Sequence, residues 1–105
     1  MLIPTKKYIL SETPQRGLIR IVDIQNDKTL LVPSLDIAKD IVHIRFELDL
    51  EQYPCKELQE AYTAIGLELF SIEPYVIASP NDDLSALLKQ EQAKLVARGV
   101  TLYRS

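Results

Sequence analysis

Cysteine occurs once, at Cys55, so no disulfide can close within the chain. Long apolar runs are missing too. None approaches the roughly 20 residues that a bilayer span requires, and no basic start leads into an unbroken apolar core and cleavage site near the beginning. A cytoplasmic location without membrane association is the expectation. Positive charge is not in excess, because 12 Lys and Arg stand against 15 Asp and Glu, a formal net charge of -3. That balance argues against a surface dominated by phosphate contacts, which rely on clustered Lys and Arg. Histidine also occurs once, at His43. With no second histidine and no cysteine nearby, its helix face with Asp40 and Glu47 is a weak basis for a metal site and reads as solvated.

What is present suits a folded domain. The 105 residues are 47% hydrophobic and 26% charged, which fits one unit over residues 1–105 and leaves no room for two. No repeat, low-complexity tract or linker divides them.

The opening "TKKYILSETPQRG" reads as a brief helix or turn stopped by Pro14 and Gly17. "GLIRIVDI" carries β-branched residues on both faces, the mark of a central strand. The turn formers of "QNDK" then lead into "TLLVP", so the two runs predict a hairpin. Ser34 is placed to cap a helix through "LDIAKDIVHIRFELDL", with Asp36 in its first turn. Its main stripe is Ile37, Ile41, Ile44 and Leu48, while Leu35, Val42 and Phe46 make a second apolar arc. A helix apolar around so much of its girth is expected to pack between other elements. Pro54 opens a second helix, stopped by Gly66. "LELFSIEPYVIA" reads as a strand in which Pro74 marks a bulge or an edge. Ser79 and Pro80 begin the last helix. The expected fold is α+β, a small three-stranded antiparallel sheet flanked by helices in the order β-β-α-α-β-α.

That last helix holds an anomaly. Leu84, Leu88, Glu91 and Leu95 share one stripe with Leu87 on its flank, so Glu91 stands where a leucine is expected. A buried lone carboxylate costs several kcal/mol. Three readings are open: Glu91 sits at a groove mouth, pairs with a basic residue, or ligates a metal. Arg45 projects to an apolar side of the first helix and is the leading protein partner; its bland alternative is snorkelling. Lys6, Lys7, Arg16 and Arg20 form the one basic concentration, a small candidate nucleic-acid patch or a solvated rim.

Several strings resemble the GIY-YIG endonuclease superfamily. "GLIRI" at residues 17–21 is similar to the "GxYxI" strand, "QNDK" to its turn, and "LLVPS" at residues 30–34 to the returning "YIGS" strand. "ELQEAYTAIG" followed by "ELFSIE" matches the family's helix and following strand. The resemblance implies an antiparallel sheet flanked by helices and single-metal phosphodiester cleavage, with two tyrosines and an arginine around the phosphate and a glutamate holding Mg²⁺. Here the tyrosine positions fall on Ile19 and Leu31, the glycine on Pro33, and the arginine on Asp40 or Ile41. The metal glutamate is retained as Glu91. The resulting expectation is a nuclease-like domain without catalysis or cofactor, acting as a binding or interaction module for DNA or a partner protein. Two alternatives accompany it: a divergent Mg²⁺-dependent endonuclease using Glu91 with a relocated Arg45, and a homo-oligomeric interaction domain.

Overall fold

The computed structural model describes residues 15–103. The opening segment, with Lys6, Lys7 and Tyr8, lies outside the described residues. Strands β1 (Gly17–Asp23) and β2 (Lys28–Ser34) are followed by helices α1 (Ile37–Asp49) and α2 (Lys56–Ile65). Then come a 3-10 turn at Leu67–Leu69, strand β3 (Phe70–Ile77), helix α3 (Leu84–Ala97) and a short strand β4 (Thr101–Leu102). The α+β class and the element order are as expected, but the sheet has four strands in the order β3-β1-β2-β4. β1 pairs antiparallel with β2 and β3, while β4 runs parallel to β2. A two-residue strand carries no alternation to read, which is why β4 escapes sequence inspection. No helix among the described residues is long and apolar enough to cross a membrane.

β1 is central, as its two apolar faces require. Ile19 and Ile21 point into a cluster with Leu30, Ile37, Ile44, Leu48, Leu58 and Tyr62. Leu18 points the other way, to Leu31 and Leu95. Strand alternation thus puts α1 and α2 on one face and α3 on the other. β3 lies at the sheet edge, and its register with β1 shifts between Leu18 and Ile19, opposite Val76 and Pro74. The bulge expected at Pro74 is there, leaving Tyr75 as the extra residue. It brings the Val76 carbonyl over Gly17, where a Cβ would lie 1.9 Å from the oxygen. Only glycine fits that approach.

The helix starts are displaced from the sequence reading, each for a local reason. Ser34 is not the cap of α1; its hydroxyl donates to Asp40 at 2.6 Å and accepts the Asp36 N–H, and Asp36 caps the helix by accepting from the Lys39 N–H. α2 begins two residues after Pro54, with Cys55 as cap. Gln59 organises the loop before it, accepting the Tyr53 N–H at 3.0 Å and donating to the Leu48 carbonyl at 3.1 Å. Gly66, at φ 98°, ends α2 in a conformation that side chains avoid. α3 starts at Leu84 rather than Pro80 because Asp83 caps it, accepting the Ser85 N–H at 3.0 Å, while the residues before it close a separate turn in which the Ser79 carbonyl accepts the Asp82 N–H and the Asp82 carboxylate accepts the Ser79 N–H. Arg16 braces that turn through the carbonyls of Ser79, Pro80 and Asp82. α1 itself packs on one side only. Its second apolar arc faces solvent, with Leu35, Val42 and Phe46 each more than half exposed.

Asp23 closes the sheet. It is fully buried, and its carboxylate accepts from the Asn26 N–H at 3.0 Å, the Asn26 amide at 2.8 Å and the Tyr103 hydroxyl. Burial alone would raise its pKa, but the hydrogen bonds from Tyr103 and Asn26 outweigh it and hold the carboxyl below its ordinary 3.8. Burial and the same Asp23 contact push the Tyr103 phenol up, so it remains a donor.

Two outcomes follow from these constraints. Gly17→Ala is expected to cost about 3 kcal/mol in denaturant unfolding, since backbone must move to admit the methyl group. Asp23 contributes stability that is full above its unfolded pKa and lost as pH falls through the lower folded value. Tyr103→Phe removes one donor, raises that folded value, and should shift the acid limb of the stability curve to higher pH at a cost of about 1–3 kcal/mol at neutral pH. An unchanged acid limb would show that the Tyr103 hydroxyl does not hold the carboxylate.

Candidate functional site

Glu91 lies on the buried face of α3, only 9% exposed and more enclosed than Leu84, Leu87 or Leu88 around it. Its carboxylate is met from its own helix: Lys94, one turn on, donates to Oε2 at 3.0 Å while keeping its stem half in solvent. This is an i, i+3 pair, and its two residues are readable in the sequence. Arg45, the partner expected from the sequence, is not there. It is exposed on α1, whose core residues lie across the sheet from Leu95 and α3.

The positions at which the resemblance calls for tyrosines are enclosed and apolar. Ile19 has no exposure and Leu31 is 4% exposed. They also diverge. Ile19 is paired across the hairpin with Val32, so it shares a face with Val32, whereas Leu31 is paired with Arg20 and faces α3. Glu91 and Leu31 therefore belong to one side of the sheet, and Ile19, Asp40, Ile41 and Arg45 to the side that carries α1. The structure does not bring the expected site residues together.

The described members of the basic concentration are engaged within the chain. Arg16 clasps the turn before α3 through the carbonyls of Ser79, Pro80 and Asp82. Arg20 meets Glu73 through both Nε and Nη2, with Nε at 3.2 Å, and its guanidinium lies over the Tyr75 ring at 5.4 Å from the centroid. The Arg20 pair ties the edge strand β3 to β1, and both guanidiniums engage within the chain donors that a phosphate would use.

A cavity of about 210 Å³ opens beside α1, lined by Val32, Asp40, His43, Ile44, Glu47, Tyr53 and Pro54. The Asp40, His43 and Glu47 face noted in the sequence forms its polar wall. His43 is largely exposed and lies 3.7 Å from Glu47, while Asp40 already accepts from Ser34. Tyr53, which sequence inspection did not single out, supplies a phenol pushed up to about 12 by burial first and by Cys55 and Glu47 next. At neutral pH it keeps its proton and offers a donor, not a base. Among the described residues no group of three His, Cys, Asp or Glu side chains is placed to hold a metal ion.

No family model matches the sequence, and no curated protein matches it either. The fold is found among solved structures. The catalytic domain of the homing endonuclease I-TevI superposes with a TM-score of 0.65 at 14% identity, covering 86% of this chain and 99% of that one. A mutant form of the catalytic domain of intron endonuclease I-TevI gives 0.62 at 13% identity, covering 79% of this chain and 82% of that one. The mixed sheet with its helices is thus the GIY-YIG fold of that domain.

A carboxylate so enclosed is a poor use of a stripe position. Glu91→Leu is expected to raise thermal stability by about 1 kcal/mol, since it extends the apolar contact and removes a charge from a nearly buried site. A destabilised Glu91→Leu protein in a melting experiment would show that the Lys94 pair stabilises the helix.

Proposed function

We propose that this chain uses a GIY-YIG nuclease-like fold as a non-catalytic interaction module whose ligand is a protein. The observation that carries the reading is Ile19, an aliphatic side chain without solvent exposure where the resemblance calls for a phenol at the reacting phosphate. No hydroxyl stands there to orient a water, and burial closes the position to substrate. The arginine position offers Asp40 or Ile41, and a carboxylate at that place repels a phosphodiester.

Mg²⁺ does not suit the donors at Glu91. Magnesium prefers one or two carboxylates with room for several waters, whereas this single carboxylate is nearly buried and carries an ammonium at 3.0 Å. An acidic net charge and the internal engagement of Arg16 and Arg20 favour a protein over a nucleic acid as the ligand. Incubated with Mg²⁺ and supercoiled plasmid, the protein and its Glu91→Ala variant are expected to leave the same background of nicked circles. Metal-dependent nicking that vanishes in Glu91→Ala would overturn the reading in favour of a divergent endonuclease. Duplex binding that weakens steeply with salt would instead reassign the ligand to nucleic acid.

A further inference from the structure

The outer face of α1 is the largest feature for which neither the core nor the site accounts. Leu35 is 68% exposed, Val42 69%, Phe46 60% and Leu50 49%. At roughly 100° per residue Val42 and Phe46, continued by the cap residue Leu50, form one stripe along the side of α1 opposite Ile37, Ile44 and Leu48, and Leu35 stands exposed just before the helix begins. Scattered exposed apolar residues are ordinary, but a contiguous stripe marks a contact surface. The charges along it are few and ordered: Lys39 lies one turn before Val42, and Asp49 one turn after Phe46, both exposed.

We infer that this stripe is the interface of a two-fold dimer, with α1 of one copy packed antiparallel on α1 of a second. The inference rests on the interaction-module reading and names its partner as another copy of the chain. The stripe is its own complement about a two-fold axis level with Ile44. In that register Phe46 meets Val42 of the second copy, Leu50 meets Ala38, and Lys39 stands level with Asp49, within reach of the lysine stem. The operation repeats every pair, so two ion pairs flank a closed apolar centre. A parallel pair would instead set Lys39 against Lys39 and Asp49 against Asp49, which like-charge repulsion disfavours. Asp49 is already oriented: the Tyr62 hydroxyl donates to Oδ1 at 2.6 Å, leaving Oδ2 for the second copy.

Sedimentation velocity of the full chain from micromolar to millimolar concentration tests the assignment. A monomer–dimer equilibrium is expected, with Phe46→Glu weakening it by roughly tenfold or more. Lys39→Glu should weaken it as well, since two attractive pairs become repulsive. Mixing Lys39→Glu with Asp49→Lys should recover association between the two variants, because both mixed pairs are again opposite in sign. Melting curves at low concentration check that each variant is folded. If Asp49→Lys loses its fold with the Tyr62 contact, the Phe46 and Lys39 variants decide the question. A strictly monomeric protein, or a dimer indifferent to both of those changes, would overturn the inference. A monomer in which Phe46 is shielded from hydroxyl-radical labelling would overturn it too, assigning the stripe to the chain's own first residues. Neither failure touches the plasmid assay, so the loss of a dimer and the presence of catalysis are distinguishable.

Discussion

The structure depends on a single strand buried on both faces. β1 has Leu18, Ile19 and Ile21 all without exposure, two of them under α1 and α2 and the other under α3. β2 and β3 pair with its two edges, helices cover its two faces, and β4 lies one strand further out on β2, while the Val76 carbonyl lies so near Gly17 that a side chain there has no room. Such a strand is a scaffold rather than a surface. A side chain on it is available to a ligand only if the helices leave a gap, and over Ile19 they leave none. Burial of β1 and the absence of a reactive group there are one fact seen from two sides.

Most of the architecture was legible. Apolar residues on both faces of "GLIRIVDI" required a central strand, and Pro74 marked the bulge. What could not be read was long-range. Arg16 braces the turn before α3 across more than sixty positions, and Asp83 rather than Ser79 caps the helix, so the signal at Ser79 and Pro80 is spent on a turn of its own. The girth of α1 misled as well. A second apolar arc led to the expectation of packing between other elements, whereas Leu35, Val42 and Phe46 face solvent.

The site was less legible than the fold, and Glu91 shows why. Periodicity found the anomaly, a carboxylate inside a leucine stripe, and the same projection on α1 suggested Arg45 as its partner. Periodicity carries no information about which face of a sheet a helix covers, and α1 and α3 cover different faces. The partner is Lys94, one turn away on the same helix, at a spacing that the sequence itself displays. The same ambiguity affects Leu31: aligning a motif along β2 by its final serine selects a residue on one face, and a one-residue slip selects the other. Among the tyrosines only Tyr62 had a readable place, on an apolar helix face, and it is buried in the core; the structure puts Tyr53 in a cavity wall, Tyr62 on Asp49 and Tyr103 over Asp23.

That last contact joins residues 80 positions apart, and it has a consequence for the order of events during synthesis. The β1–β2 turn is made early and is local, and Asn26 satisfies part of the Asp23 carboxylate as soon as the turn forms. The final donor arrives only when Tyr103 has left the ribosome and β4 has laid itself beside β2. Without Tyr103 the carboxylate keeps its contacts with Asn26. The last described strand and the first turn are thus two halves of one contact, and a change at either is felt at the other.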